Sequence, residues 1–231
     1  TGGVDHISVH HTNEIAQSEA AYNHPLANYW IHNEFLLVDG RKMSKSLGNF
    51  YTLKDLEEKG FNAMDLRYFY LTANFTTQQN FTFEGLDAAR SARLKLKDFI
   101  RTNFKNSEFD LENISQTSKG WLQKFNDAIE DSFNMPEAIA AIWSVINSKE
   151  IENWEKLTLF SFHFDKVLGL NLFEFEEISS ETKSKLEEII QKRNSAKASK
   201  DFKLADSLRD EAKALGFELE DTKEGTVYKL L

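Results

Sequence analysis

The sequence predicts a mixed, mainly α-helical fold that ends in a small α/β module. Three observations carry this prediction. An apolar, strand-like run, YWIHNEFLLV, occupies residues 29–38. From Leu86 onward, apolar residues recur at the spacing of amphipathic helices over several successive segments. The final segment, FELEDTKEGTVYKLL, has the pattern of a β-hairpin that turns near Glu224 and Gly225.

The first third of the chain is predicted to alternate between strands and short helices. The opening residues read as a loop that feeds a short strand ending at His10. The elements expected after it are a helix over 11–22 capped near Thr12 or Asn13, a strand over 29–38, and helices over 52–59 and 62–73 that break at Gly60.

The helical part is predicted to be an antiparallel bundle. Its helices are expected over residues 84–105, 116–132, 135–149 and 152–168. Pro136 suits the first turn of the third helix, with Asn134 as its cap. After an acidic linker at 174–182, two more helices are expected, the second ending at Gly216.

Composition sets limits on the class of protein. Of the 231 residues, 41% are hydrophobic and 13% aromatic, which suffices for a sizeable core. No apolar run approaches the roughly 20 residues of a membrane-spanning helix, and no basic-then-apolar leader is visible. Cysteine is absent, which fits a reducing cytosol.

The formal net charge of −9 by itself argues against a nucleic-acid-binding protein. The average hides a contrast between neighbouring segments, since residues 174–188 are mostly acidic and residues 192–203 mostly basic. The basic side chains of this run are Lys192, Arg193, Lys197, Lys200 and Lys203. A solvated helix face and a phosphate-binding surface both fit such a run.

The loop DGRKMSKSLGN, residues 39–49, has the chemistry that a polyphosphate needs. Lys42 and Lys45 flank Ser44, and Ser46 follows. Cations and hydroxyl or amide donors bind phosphate oxygens, and the flanking glycines allow the loop to move. A solvated basic turn is the alternative interpretation.

The segment VHHTNE places His10 and Glu14 four residues apart. On a helix these side chains share one face, and imidazole and carboxylate are both zinc donors. Zinc sites usually use at least three protein ligands, so the pair is half of a site. A hydrogen-bonded or salt-bridged His–Glu pair is the alternative. Asp5, which follows two glycines, either binds an amine or caps a turn.

The string KMSKS, residues 42–46, resembles the signature of class I aminoacyl-tRNA synthetases. The wider pattern from GGVD to KMSKSLGNF, residues 2–50, resembles the cysteinyl-tRNA synthetase family in order and spacing. The similarity continues through EDSFNMPEAIAAI at 130–142 and ADSLRDEAKALGFELEDTKEGTVYKL at 205–230. It covers essentially all of this chain but only about the C-terminal half of the family.

The resemblance implies a domain order and an activity. The segments expected are the end of a Rossmann-type nucleotide-binding core at 1–50, a stem-contact region at 51–83, a helical bundle at 84–173 and an anticodon-binding module at 180–231. The family forms cysteinyl-adenylate from cysteine and ATP with Mg²⁺, and then transfers cysteine to tRNA(Cys). We expect a cytoplasmic monomer that does not associate with membranes.

The resemblance also implies roles for single residues. Lys42 and Lys45 are expected to oppose the charge that builds on the leaving pyrophosphate. Contacts with ATP are expected from Lys45, Ser44, Ser46 and His32. Contacts with the substrate are expected from Asp5 and Trp30. His10 and Glu14 match two ligands of a Zn²⁺ ion that binds the cysteine thiolate. Contacts with tRNA are expected from Lys192, Arg193, Lys197, Lys200 and Lys203.

This sequence departs from the family pattern in several places. The family's other two zinc ligands are cysteines and its second ATP motif is H-I-G-H, and neither occurs in this chain. Thr12 stands where glutamate is usual, and Asn74-Phe75-Thr76 stands where H-Y-R is common. Two alternatives follow: a cysteine ligase with a small amine acceptor, and a non-catalytic paralogue that binds tRNA or a partner. The C-terminal module favours tRNA over a small amine.

We predict that the 231-residue chain alone does not activate cysteine. The reason is that the resemblance places half of the ATP site and two zinc ligands upstream of these residues. Cysteine-dependent exchange of pyrophosphate into ATP measures this activity directly. Exchange above the level seen without cysteine would contradict the prediction.

Overall fold

The computed structural model describes residues 1–104, 109–175, 180–222 and 225–230. The chain forms two compact units, Thr1–Phe173 and Glu174–Leu231. The fold is mainly helical, as the sequence predicts. No helix in these described ranges is long and apolar enough to cross a membrane.

The first part of the N-terminal unit alternates short strands and helices. The strands are β1 (Gly2–Gly3), β2 (His32–Asn33), β3 (Leu36–Val38), β4 (Arg41–Lys42) and β5 (Gln79–Phe81). The α-helices are α1 (Thr12–Tyr22), α2 (Leu53–Glu58) and α3 (Ala63–Leu71). A 3₁₀ helix (Val4–His6) and a π-helical turn (Ile7–His11) precede α1. The predicted helices over 11–22, 52–59 and 62–73 are thereby confirmed, with Gly60 in a left-handed conformation at the break.

Two small sheets organise this region. β1 pairs in parallel with β2. β3 lies between β4 and β5, antiparallel to β4 and parallel to β5. Val38, at the end of β3, is fully buried. The β1–β2 and β3–β5 pairings therefore bring segments 30 and 43 residues apart in sequence into direct contact.

The predicted strand ending at His10 is wrong, because residues 4–11 are helical. The apolar alternation of Ile7 and Val9 suggested a strand, yet both side chains are about half exposed or more. Without a partner strand or a buried face, the backbone satisfies its polar groups locally. The predicted cap is also wrong: His11 precedes α1, and the Thr12 hydroxyl donates to the Ile7 carbonyl.

The predicted single strand over 29–38 is two short strands, β2 and β3. Between them the backbone N–H of Glu34 donates to the carbonyl of Phe75. That bond ties the chain to the loop after α3 instead of continuing either ladder. A continuous apolar run in the sequence does not reveal that its two halves pair with different strands.

The remaining helices of this unit agree with the predicted bundle. They are α4 (Phe83–Phe104), α5 (Gln116–Glu130), α6 (Met135–Asn147), α7 (Asn153–Leu159) and α8 (Asp165–Leu168). A π-helical turn, Phe160–Phe164, joins α7 to α8. Asn134 caps α6 and Pro136 lies in its first turn, as predicted. Residue 105 of the predicted first helix lies outside the described residues.

A buried ion pair joins α3 to α4. Arg93 Nε donates to Asp65 Oδ1 over 2.8 Å, and both side chains are at least 90% buried. The second oxygen of Asp65 accepts from the backbone N–H of Asn62, so the same carboxylate caps α3. One side chain therefore starts a helix and fixes its neighbour.

The C-terminal unit contains α9 (Ser180–Ala198), α10 (Phe202–Ala214) and the antiparallel strands β6 (Phe217–Thr222) and β7 (Gly225–Leu230). Its core is formed by Leu186, Ile189, Leu208, Ala212, Phe217 and Leu219. Gly216 takes a left-handed conformation after α10, as expected for the residue that ends it. The predicted linker and the hairpin turn lie partly outside the described residues, which omit 176–179 and 223–224.

Asp221 on β6 binds two basic residues of α9. Arg193 donates to both of its carboxylate oxygens, over 2.8 and 3.0 Å, and Lys197 lies 2.8 Å from one of them. The Thr226 hydroxyl also donates to this carboxylate. Arg193, first, and then Lys197 hold the pKa of Asp221 well below its usual range. This cluster fastens the hairpin to α9.

Replacing Asp65 by Asn should destabilise the N-terminal unit by about 3–5 kcal/mol, because it leaves the buried Arg93 charge without its partner. All four tryptophans lie in Thr1–Phe173, so tryptophan fluorescence during urea unfolding reports on this unit. Asp98→Asn is the control, since its pair with Arg101 is partly exposed, and it should cost less than about 1 kcal/mol. Equal losses for the two variants would contradict the prediction.

Replacing Asp221 by Asn should destabilise the C-terminal unit by about 1 kcal/mol, a modest value because the carboxylate is nearly half exposed. The lowered pKa means that the native contribution is complete above the unfolded pKa of about 4. It is lost as pH falls from there toward the folded pKa.

The Asp221 prediction can be measured by urea unfolding between pH 7 and pH 3, followed through the ring resonances of Tyr228. Tyr228 is the one tyrosine in residues 174–231. The wild-type chain should lose stability below pH 4 more steeply than Asp221→Asn. Glu218→Gln, on the exposed side of the same strand, is the control and should behave as wild type. Identical pH profiles for wild type and Asp221→Asn would refute the role of the cluster.

Candidate functional site

The lysine-rich loop grows from a tight hairpin. Asp39 and Gly40, both with positive φ, form the two-residue turn between β3 and β4. The N–H of Gly40 donates to Asn80 Oδ1 over 2.7 Å, which ties the turn to β5. Lys42 is the last residue of β4, so the first lysine of the loop lies on a strand of the hairpin.

The rest of the loop is a single 3₁₀ turn over Lys45–Leu47. Ser44 precedes it in an extended conformation, and Gly48 ends it with φ +68°. The hydroxyls of Ser44 and Ser46 lie 2.8 Å apart. The turn therefore gathers two hydroxyls and the Lys45 ammonium within three consecutive residues, as the sequence predicts.

Both loop lysines are available to an anion. Lys42 and Lys45 are exposed, and neither forms an ion pair within the described parts of the chain. The Lys45 ammonium lies 5.4 Å from the centre of the Phe50 ring, a cation–π contact. An aromatic face leaves the positive charge uncancelled, so the loop stays cationic.

A second group of side chains lies where β1 meets β2. Histidine rings come together there with Trp30. His11 Nδ1 and His32 Nε2 form a hydrogen bond of 2.7 Å, and the His11 ring lies 4.8 Å from Trp30. His6 and His10 lie with their rings 5.2 Å apart, and His6 is equally close to His11. We call His6, His10, His11 and His32 the histidine cluster.

Close backbone approach makes room for the cluster. A Cβ atom added to Gly2 would lie 2.7 Å from atoms of both His6 and His11. A Cβ atom on Gly3 would lie 2.5 Å from the Asp5 carboxylate. The two glycines of β1 therefore permit these side chains to pack directly against the strand.

His11, at the centre of the cluster, holds a proton less readily than a free histidine. Loss of hydration lowers the pKa of His11 below its usual range, and charge repulsion with His32, His6, His10 and the N-terminal ammonium lowers it further. A neutral imidazole at neutral pH accepts or donates a hydrogen bond at either nitrogen according to its tautomer. The His11–His32 bond uses one nitrogen of each ring.

The proposed zinc pair is only partly assembled. His10 is at the end of the π-helical turn and exposed, and Glu14 lies in the first turn of α1. Within the described residues, no group of three or more His, Asp or Glu side chains is arranged to hold a metal ion. The pair offers one nitrogen and one carboxylate donor, which fit zinc in kind but not in number.

Sequence reasoning placed His32, Trp30 and His10 among site residues but missed His6 and His11 as their neighbours. One signal was present: five of the six histidines occur in the first 32 residues. That clustering along the chain does not predict that the histidine rings of residues 6–11 contact the rings of Trp30 and His32. The parallel pairing of Gly2 with His32 brings them together.

The structure divides the predicted tRNA-binding residues into a group that is paired with carboxylates and a group that is exposed at a turn. In the first group, Arg193, which is buried, and Lys197 pair with Asp221, and Lys192 pairs with Glu188 on the surface of α9. Lys200 and Lys203 are exposed at the turn between α9 and α10. The Arg193 guanidinium, occupied by Asp221, contributes to stability and not to an open cationic surface.

The sequence of this chain matches a known protein family and several of its members. Residues 1–91 match the family described as tRNA synthetases class I (C) catalytic domain. The Cysteine--tRNA ligase of Chlamydia caviae is 39% identical over 243 residues, covering 100% of this chain and 50% of that protein. That of Borrelia turicatae is 40% identical over 242 residues, covering 99% and 50%.

A solved structure shares the fold. The LeuRS of Agrobacterium radiobacter K84, in a ternary complex with tRNA and LeuAMS, superposes with a TM-score of 0.52 at 20% identity. The match covers 68% of this chain and 24% of that one. The chain spans about half the length of the curated relatives it matches, in their C-terminal portion. By these matches over its whole length, the chain belongs to the cysteine--tRNA ligase family of class I tRNA synthetases.

Proposed function

We propose that the chain provides the signature-loop part of an ATP-dependent cysteine--tRNA ligase. The whole enzyme joins cysteine to ATP as cysteinyl-adenylate and then transfers the cysteinyl group to tRNA(Cys). The observation that carries this proposal is the KMSKS loop, held on a tight hairpin with two exposed lysines that have no carboxylate partner among the described residues. The identity of 39% to a Cysteine--tRNA ligase over the full chain supports it.

The loop acts on the leaving group of the first step. The cysteine carboxylate attacks the α-phosphate of ATP, a new C–O–P bond forms, and the α–β bridging bond breaks. Negative charge then builds on the departing pyrophosphate with its Mg²⁺. Lys42 and Lys45 oppose that charge, and Ser44 and Ser46 offer hydroxyl donors beside them.

The region of the histidine cluster receives the amino acid and the adenosine. Trp30 and His32 stack with an interplanar angle of 7°, which leaves flat ring surfaces beside β2. Flat rings of this kind pack against a planar base. Asp5 is exposed beside β1, where its carboxylate can pair with the substrate ammonium. These roles for His32, Trp30 and Asp5 follow the family resemblance.

His10 and Glu14 would act in substrate selection by helping to hold a zinc ion. His10 and Glu14 would supply two of its ligands, and two cysteines upstream of these residues would supply the others. When bound, zinc coordinates a thiolate far better than a hydroxyl, which separates cysteine from serine by chemistry instead of size. This chain's part is to present His10 exposed in the last turn of the π-helical segment, without a carboxylate partner in the part of the chain that the structure describes.

The C-terminal unit binds tRNA in this proposal. Phosphate contacts supply most tRNA affinity and depend on open cations. Lys200 and Lys203 are exposed at the α9–α10 turn, and Lys192 lies on the surface of α9 in a pair with Glu188. A ligase that uses a small amine has no need of such a unit, so tRNA is the favoured acceptor.

The proposal can be tested by joining the upstream half of the Chlamydia caviae relative to this chain and measuring cysteine-dependent pyrophosphate exchange. The wild-type chimera should be active, and Lys45→Ala should lower kcat by about 10²–10³-fold, the effect of losing one transition-state donor. Lys54→Ala is the control, because Lys54 is an exposed cation on α2 paired with Glu58. An inactive chimera that nevertheless folds would refute the proposal. Equal activity of wild type and Lys45→Ala would remove the loop from the mechanism.

A further inference from the structure

Asn49, three residues after the KMSKS string, connects both arms of the loop. Its Oδ1 atom accepts a hydrogen bond from the backbone N–H of Ser44 over 2.9 Å. Its Nδ2 atom donates to the carbonyl of Lys42 over 3.1 Å and to that of Val38 over 3.5 Å. One carboxamide therefore joins β3, β4 and the middle of the loop.

The other hydrogen bonds of the loop are short-range. The N–H groups of Leu47 and Gly48 donate to the carbonyls of Ser44 and Lys45, each over 3.2 Å. These bonds shape the 3₁₀ turn but do not attach it to the sheet. Within the described part of the chain, the Asn49 side chain makes that attachment.

The backbone brings Asn49 back to the hairpin. Gly48, with φ +68° and open space around it, reverses the chain just before Asn49. Asn49 is partly buried, whereas its neighbours on both sides are exposed. The side chain thus points into the loop's base, where it meets the backbone groups of Ser44 and Lys42.

Phe50, the next residue, contacts the Lys45 side chain. The Lys45 ammonium lies over the Phe50 ring, 5.4 Å from its centre. Asn49 holds the backbone next to Lys45 while Phe50 holds its side chain. Asn49 and Phe50 therefore define where this cation lies before ATP binds.

We propose that Asn49 is the positioning residue of the signature loop, and that the Phe50 ring holds the Lys45 ammonium in the absence of ATP. The structural role of Asn49 follows from the hydrogen-bond geometry alone. Its effect on catalysis, through the placing of Lys42 and Lys45 against the polyphosphate, rests on the proposed function. Asn49 touches neither substrate nor phosphate in this role, and acts through the backbone of the loop.

The structural half of the proposal is tested in the 231-residue chain by hydrogen exchange of the Ser44 amide. In the wild type this N–H should be protected, and Asn49→Ala should speed its exchange by about tenfold or more, since the acceptor is lost. Asn49→Asp keeps the acceptor for Ser44 but loses the donor to Lys42, so it should retain most of the protection. Equal Ser44 exchange in wild type and Asn49→Ala would overturn the proposal.

Asn80→Ala is the matched control. It removes one side-chain hydrogen bond to the same hairpin, at Gly40, without touching Ser44 or Lys42. Its Ser44 amide should exchange as in the wild type. Faster exchange in both variants would show a general loosening of the hairpin and would also overturn a specific role for Asn49.

The functional half is tested by pyrophosphate exchange in the chimera described above. Asn49→Ala should lower kcat/KM for ATP by about 10–100-fold, because small misplacement of charged groups is costly. The KM for cysteine should stay within about twofold, and unfolding followed by tryptophan fluorescence should be unchanged. A purely structural defect would instead shift the unfolding midpoint.

Phe50→Leu should change kcat/KM for ATP less than Asn49→Ala, since it frees the Lys45 side chain but leaves the backbone fixed. An unchanged kcat/KM for ATP in Asn49→Ala, together with lost Ser44 protection, would overturn the positioning role. Failure of the proposed function is distinguishable from this, because the wild-type chimera itself would then lack cysteine-dependent exchange.

Discussion

The pairing of β3 with β5 is the contact on which the candidate site depends. β3 ends in the fully buried Val38, and two residues later the chain turns into the signature loop. β5 ends in the buried Phe81, whose ring packs edge-on against Phe69 of α3. The loop itself is exposed and has little packing of its own. Its position is therefore set by a short central strand that is fixed to the helices, as functional loops on rigid scaffolds commonly are.

The basic residues of this chain fall into two physical classes. Arg93 is buried against a carboxylate, and Lys156 is buried with its ammonium donating to the carbonyls of Ile146 and Ser148 near the end of α6. These charges hold helices together. Lys42 and Lys45 are exposed and have no carboxylate partner within the described residues. A cation that is to meet a polyphosphate must stay unneutralised until the ligand arrives, and the loop meets this requirement.

Much of the site could be predicted because it is local. The loop chemistry lies within eleven consecutive residues, and Asn134, Pro136 and Gly216 act at helix ends through their immediate neighbours. Two of the contacts that sequence reasoning missed are long-range. The His11–His32 bond spans 21 positions. Asp221 removes Arg193 from the predicted tRNA-binding surface across 28 positions. Asn49 lay in view beside the signature, but its role depends on where its carboxamide points.

By itself, the sequence determined most α-helices, several of their ends and the chemistry of the loop, because 3.6-residue periodicity, capping and turn residues act over a few positions. It also carried the family, through motifs that keep their order and spacing along the chain. Only the tertiary structure decided the strand pairing of the N-terminal unit, the histidine cluster and which charged side chains are paired. Strand pairing, desolvation and ion pairing join residues far apart in sequence, so neither a strand-like run nor a basic run states its partner.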